Sequence, residues 1–160
     1  MKTMMAALCL AALAAAAQAG DKTMSGVRQQ VQVETGEGRV VVKLTVSNGG
    51  ASTIYVARPV FSDDELFGRA FDIKNLDTGA AVDYIGPMVK RGPLGKDDYL
   101  AIKPGASHVN RIDITHSYDF KPGKHHYQLS FAGNYLGELA RLDAATMVSV
   151  TPVTFSYTGK

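Results

Sequence analysis

The sequence predicts an all-β protein, an immunoglobulin-like antiparallel β-sandwich of about seven to nine strands. Short stretches alternate apolar and polar residues, and turn-forming residues separate them at intervals of about 8–12 residues. The clearest stretch places Val40, Val42 and Leu44 on one face of a strand and polar residues on the other. Asn48-Gly49-Gly50 then ends it with residues that tolerate positive φ. These features favour strands joined by tight turns.

The other predicted elements follow from the same alternation. Strands are predicted at 27–33, 54–56, 71–76, 82–85, 99–102, 108–114, 127–131 and 147–157. The apolar parity of the last strand changes at Pro152. Because proline cannot donate to a strand ladder, this change predicts a bulge or an edge strand. Leu136, Leu139 and Leu142 recur at every third residue and predict a short helical turn within a loop.

The first residues have the three parts of a secretory signal peptide. Lys2 provides a positive start, residues 4–17 form an apolar run, and Ala17-Gln18-Ala19 is a small-x-small cleavage site. A membrane anchor is the alternative, but a spanning helix needs about 20 apolar residues and this run is shorter. We therefore expect a cleaved signal peptide at 1–19, one domain at 20–160, and export to the periplasm or the medium.

Cysteine content and charge exclude several classes of protein. Cys9 is the one cysteine and lies within the signal segment, so the mature chain has no disulfide and no thiol nucleophile. Loss of Lys2 changes the formal net charge from +2 to +1, and no basic block is present, which argues against nucleic acid as a partner. No second long apolar stretch occurs, so no membrane association is expected after cleavage.

The sequence contains no complete catalytic motif. H-E-x-x-H, G-x-S-x-G and P-loop patterns are absent, and the four histidines lack the spacing of metal ligands. His125 and His126 are adjacent, so on a strand they are predicted to point to opposite faces. A copper or zinc site that combines His116 with one of them is a less favoured alternative to ordinary surface histidines. The sequence therefore predicts no catalytic residue, no metal site and no cofactor.

Two further groupings contain suitable residue types without suitable spacing. Acidic runs at 63–65 and 97–98 contain oxygens that calcium prefers, but neither has EF-hand spacing, and a solvated loop is the favoured interpretation. His116, Ser117 and Asp119 are the residue types of a catalytic triad. Residues so close in sequence cannot adopt the triad geometry, so no hydrolytic activity is predicted from them.

Two loops are the candidate binding surface. Residues 62–71 place apolar side chains beside acids, and residues 86–94 combine Gly-Pro turns with a methionine and two cations. Apolar side chains held in such loops are plausible binding anchors. The alternative is that they fold back to cover one end of the sandwich. The predicted binding residues are Leu66, Phe67, Met88, Val89, Lys90 and Arg91.

Several short stretches together resemble a known domain. Residues 83–91 read Asp-Tyr-Ile-Gly-Pro-Met-Val-Lys-Arg, and Asp-Tyr-Leu at 98–100, Lys-Pro-Gly at 103–105, Tyr-Asp-Phe at 118–120 and Pro-Gly at 122–123 follow. This series resembles the N-terminal, non-catalytic domain that precedes the catalytic domain of deuterolysin-like peptidases. These are the aspzincins, which include peptidyl-Lys metalloendopeptidases. The resemblance covers about 40–157, and its most specific part is Tyr-Ile-Gly-Pro-Met-Val-Lys-Arg.

The sequence also departs from that family. A zinc domain with an H-E-x-x-H helix and a further Asp ligand follows in the family, and no position here matches those residues. His125 stands where an aromatic residue is usual, and residues 133–145 lengthen the last hairpin connection. The resemblance implies a free-standing accessory domain, a non-catalytic binding module for a secreted zinc metallopeptidase. The alternatives are a structural or adhesive envelope module that binds a surface polymer or protein and, least favoured, a metal-dependent enzyme with an unfamiliar site.

Overall fold

The computed structural model describes residues 26–160, and the predicted signal peptide at 1–19 lies outside this range. The described residues form eleven strands, one short α-helix and one 3-10 turn at Lys96–Asp98. The strands are β1 (Val27–Gly36), β2 (Arg39–Asn48), β3 (Ile54–Ala57), β4 (Asp72–Asn75), β5 (Ala81–Val82), β6 (Tyr99–Ile102), β7 (Ser107–Asp113), β8 (Gly123–Ser130), β9 (Gly133–Leu136), β10 (Ala145–Val148) and β11 (Val153–Gly159), and the helix is α1 (Arg58–Phe61).

One face of the sandwich is a three-stranded antiparallel sheet in the order β1-β2-β7. Its register pairs Gly36 with Arg39 across the β1–β2 hairpin and Val41 with Asp113 across β2 and β7. The alternation predicted for β2 is present: Val40, Val42, Leu44 and Val46 are buried and the residues between them are not. Burial of this apolar row against the opposite sheet is what holds β2 in its register.

The opposite face consists of two four-stranded sheets with orders β10-β9-β3-β6 and β11-β8-β4-β5. Strands at the same position in the two sheets are consecutive in the chain: β10 and β11, β9 and β8, β3 and β4, and β6 and β5. Four chain paths therefore run through both sheets. Two of them are interrupted briefly, at 131–132 and 149–152, and the other two by the longer segments 58–71 and 83–98. This division explains why eleven strands are present where about seven to nine are predicted.

The core lies between these layers and confirms the predicted all-β sandwich. Apolar residues of all three sheets and of the loops contribute to one buried cluster, with Phe61 of α1 and Leu66 of the following loop among them. The largest fully buried side chains among residues 26–160 are those of Tyr118, Tyr127, Phe71, Leu44, Ile112, Ile114, Leu129 and Leu136.

The structure corrects four local predictions. The strand predicted at 147–157 is two strands, β10 and β11, at the edges of different sheets, so Pro152 marks a break between edge strands. The helical turn predicted from the leucines at 136–142 is absent, because Leu136 belongs to β9 and pairs with Ala145 of β10. The strand predicted at 82–85 is shortened to β5. The sequence interpretation also missed α1, which begins with Pro59 in its first turn.

Candidate functional site

The structure brings the two predicted binding loops together at one surface. The backbone N–H of Val89 donates to the carbonyl oxygen of Phe67 at 3.2 Å. Four apolar side chains remain exposed there: Met88 by 79%, Ile85 by 61%, Val89 by 52% and Phe67 by 37%. We call these four residues the apolar patch. Such a grouping is uncommon on the surface of a monomer and is typical of a contact surface.

Tyr84 holds the two loops in position from beneath. Its hydroxyl lies 3.0 Å from the carbonyl oxygen of Leu66 and 2.8 Å from that of Pro87, and its single proton is shared between these two acceptors. The Tyr84 ring also packs edge-on against the buried ring of Tyr118, with centroids 5.4 Å apart. Burial raises the pKa of Tyr84, so the hydroxyl keeps its proton at neutral pH. One side chain thereby fixes the spacing between the two halves of the patch.

A second anchor fixes the backbone at Ile85. The N–H groups of Ile85 and Gly86 both donate to the carbonyl oxygen of Ser117, at 2.9 and 3.2 Å. The chain cannot turn inward here without breaking these bonds, and the Ile85 side chain is left facing solvent. The exposure of Ile85 is one feature that the sequence interpretation missed, because residue 85 was assigned to a strand.

The structure separates the predicted binding residues into two groups. Leu66 is only 3% exposed and belongs to the core cluster, so it anchors its loop and we remove it from the contact surface. Arg91 lies over the Phe67 ring, 5.5 Å from its centroid, and 4.0 Å from the carboxylate of Asp63. Lys90 is exposed and forms no ion pair within residues 26–160. The patch is thus apolar at its centre and cationic at one side.

A cleft of about 460 Å³ opens next to the patch, and Ile85 belongs to both. Its lining also includes the aromatic residues Tyr118, Phe120 and Tyr157. The rings of Phe120 and Tyr157 contact each other edge-on, with centroids 5.3 Å apart. This volume is within the range of small-ligand pockets, so the cleft is large enough to receive one side chain of a docked protein.

The residue types of a catalytic triad occur at the rim of this cleft but do not form one. His116 and Asp119 line it, whereas Ser117 contributes its backbone oxygen to Ile85 and Gly86. The carboxylate of Asp119 pairs with Lys121. No chain of hydrogen bonds links a nucleophile to a base among these described residues.

The adjacent histidines share a partner that the sequence did not indicate. His125 and His126 are predicted to face opposite ways, yet both rings reach Asp77 in the turn between β4 and β5. The Nδ1 atom of His126 lies 3.0 Å from Oδ1, and the Nδ1 atom of His125 lies 3.4 Å from Oδ2. The backbone N–H of His126 also donates to Oδ2 at 2.9 Å, so the carboxylate lies at the strand edge, between the two faces.

The side chains of Asp77, His125 and His126 do not form a group that could hold a metal ion. Within residues 26–160, no three His, Cys, Asp or Glu side chains converge in a way that could hold an ion. The Nε2 atom of His125 is engaged by the carbonyl oxygen of Pro122 at 3.0 Å. A second cleft of about 320 Å³ adjoins His125 and is lined by Asp83, Asp119 and Lys121.

None of the helices between residues 26 and 160 has the length and apolar content to cross a bilayer.

Comparison with protein-family models and with curated proteins finds no match to this chain. The resemblance to a deuterolysin-like accessory domain therefore stays a prediction. The fold and the apolar patch are the observations from which function has to be argued.

Proposed function

We propose that this protein is an exported, non-catalytic protein-binding module and that the apolar patch is its contact surface. The observation that carries the proposal is the meeting of the two loops. Met88, Val89, Ile85 and Phe67 are exposed together, while Tyr84 and the Ser117 carbonyl hold their backbones in fixed positions. Pre-organised apolar anchors lose little conformational entropy on binding, which favours affinity.

The charge beside the patch supports a partner that carries acidic groups next to its own apolar surface. Lys90 and Arg91 are exposed on one side, and Arg91 is already stacked on Phe67. Charges at the rim of an interface mainly set orientation and association rate, whereas the buried apolar centre supplies the affinity. The resemblance suggests a secreted zinc metallopeptidase as the partner, with the module acting as inhibitor, folding aid or targeting subunit.

The test uses a purified aspzincin catalytic domain as the probe and compares two methionine variants. Met88→Asp puts a charge at the centre of the patch, whereas Met147→Asp makes the same change at a 67% exposed position on β10. We expect Met88→Asp to weaken capture at least about tenfold and Met147→Asp to leave it unchanged, since truncating one central anchor costs about 1–2 kcal/mol or more. An activity assay on the captured peptidase separates inhibition from assistance.

Equal capture by both variants would remove the patch from the interface. Failure of the peptidase to bind the unaltered protein would remove that class of partner. The alternative function, a structural or adhesive envelope module, predicts binding to isolated envelope polymer and no dependence on Met88. A sedimentation assay with that polymer discriminates between the two.

A further inference from the structure

The hydrogen-bond pattern of β7 shows which of its backbone groups face away from the sheet. The N–H of Ile114 donates to Val40 and the N–H of Asn48 donates to Ala106, each at 2.9 Å. Together with the register between β2 and β7, these bonds show that the backbone N–H and C=O groups of the even-numbered residues of β7 bond to β2. The N–H and C=O groups of the odd-numbered residues therefore point away from β2. These residues are Ser107, Val109, Arg111 and Asp113.

These outward groups form a free edge. No hydrogen bond among residues 26–160 uses the N–H of Val109, Arg111 or Asp113. The helix α1 contacts only side chains of β7 that face the core. His108 forms a hydrogen bond with the carbonyl oxygen of Phe61, and Asn110 donates one to the carbonyl oxygen of Val60. The outward side chains at 107, 109, 111 and 113 are all exposed.

The other edges of the sandwich are shorter or covered. β5 has two residues and β10 has four. The edge strand β6 is capped by Arg58, whose Nε donates to the carbonyl of Tyr99 at 3.2 Å. β1 runs beside β11, and its Gln29 reaches the carbonyl of Asn134. β7 has seven residues, contains no proline, and pairs with β2 without a bulge, so the charges of Arg111 and Asp113 are its main protection against pairing.

We propose that the free edge of β7 pairs antiparallel with β7 of a second copy of this chain, with the two-fold axis at Asn110. This register overlaps all seven residues and joins the two three-stranded sheets into one. It places Ser107 opposite Asp113 of the second copy and Val109 opposite Arg111 of the second copy. The former pair can form a hydrogen bond, and the latter packs a valine on an arginine stem.

Charge and overlap together select this register over its neighbours: an axis at Val109 opposes no like charges but leaves Ile112 and Asp113 beyond the end of the second copy's β7. A shift of the axis to Arg111 puts two arginines directly opposite each other, and a shift to Asp113 does the same with two carboxylates, which is unfavourable. The register with its axis at Asn110 is the one that keeps every residue of β7 paired and places no like charges opposite each other.

Analytical ultracentrifugation of the protein across a concentration series tests the proposal. We expect a reversible dimer. Val109→Lys places a cation opposite Arg111 of the second copy at a half-exposed position, so dimer affinity should fall about tenfold while the fold is kept. Adding Arg111→Glu together with Glu34→Gln should restore the dimer, because the opposed charges then attract and the new carboxylate does not face the Glu34 carboxylate of its own chain. Gln30→Lys, on the exposed face of β1, is the control and should leave affinity unchanged.

A protein that stays monomeric throughout the series would overturn the proposal, as would a dimer that Val109→Lys does not weaken. A dimer weakened equally by Gln30→Lys would assign the effect to net charge and also overturn it. If Arg111→Glu together with Glu34→Gln fails to restore the dimer, the proposed register is wrong. None of these outcomes depends on the apolar patch, so the test is independent of the proposed function.

Discussion

The hydroxyl of Tyr118 forms two hydrogen bonds with the backbone of one residue, Phe71. It donates to the carbonyl oxygen at 2.8 Å and accepts from the N–H at 3.0 Å. Both residues are buried, and burial raises the pKa of Tyr118 to about 12. Phe71 directly precedes β4, at the end of the loop that contributes Phe67 to the apolar patch. This contact therefore joins that loop to the segment that follows β7.

Replacing Tyr118 by phenylalanine should destabilise the protein by about 2–4 kcal/mol, because two buried backbone groups of Phe71 would lose their partner. Urea denaturation measures this difference. Tyr127→Phe is the matched control: Tyr127 is also fully buried, but its hydroxyl forms no hydrogen bond of ordinary geometry within residues 26–160 and only lies near the Lys121 backbone. Its removal should leave the free energy of unfolding unchanged or raise it by up to about 1 kcal/mol. Equal losses in the two variants would contradict this assignment.

Tyr84→Phe should loosen the apolar patch without unfolding the domain. The variant loses the donor to the carbonyls of Leu66 and Pro87 but keeps the ring that packs on Tyr118. We expect faster hydrogen exchange at the Val89 amide, which bridges the two loops, and unchanged exchange in β2. Tyr55→Phe, at a half-buried tyrosine in β3, serves as the control. Unaltered exchange at Val89 would show that Tyr84 does not hold the loops together.

Asp77 makes stability depend on acid pH. Its pKa is lowered from 3.8, first by the backbone N–H of His126 and then by the His126 ring. A lowered pKa means that the ionised carboxylate stabilises the fold above the unfolded value, and that this stabilisation is lost as the pH falls through the folded value. Thermal melts should show Asp77→Asn to be less stable than wild type at pH 6 and equal to it at an acid pH below the lowered folded pKa of Asp77.

Asp64→Asn provides the comparison for that experiment. Asp64 is exposed and forms no ion pair within the described part of the chain. The Asp64 variant should follow the wild-type melting temperature at both pH values. If the difference in melting temperature between wild type and Asp77→Asn stays the same in acid, the amide destabilises the turn through its shape and not through the loss of charge.

The hairpin between β1 and β2 leaves room for stabilisation. Glu37 and Gly38 form a two-residue turn with φ of 52° and 75°. Such positive φ values are sterically unfavourable for glutamate. Asparagine tolerates them better, so Glu37→Asn should raise the free energy of unfolding by about 0.5–1 kcal/mol. Gly38→Ala should have the opposite sign, since its φ disfavours any side chain. Chemical denaturation of both variants measures the two effects, and a loss of stability in Glu37→Asn would contradict this account of the turn.

Individual strands were predictable to the extent that their sequence pattern is local. The alternation of Val40, Val42 and Leu44 follows from one face being buried, and β2 has the predicted pattern. The 3-residue spacing of Leu136, Leu139 and Leu142 predicted a helical turn, and this prediction was wrong. Residues 133–136 form a strand because they pair with β10, and a local spacing does not reveal that pairing. The break at Pro152 was visible in the sequence, but the sheet to which each half belongs was not.

The sequence by itself determined the all-β class and most of the strand positions, because burying one face of a strand imposes a two-residue period on its apolar side chains. It also identified the loops that contain three of the four residues of the apolar patch, Phe67, Met88 and Val89. Only the tertiary structure decided that Leu66 is buried beside an exposed Phe67, that His125 and His126 share Asp77, and that β7 ends the sheet with a free edge. Each of these depends on which distant segments are packed together, and side-chain burial and pairing across a sheet are not encoded by local periodicity.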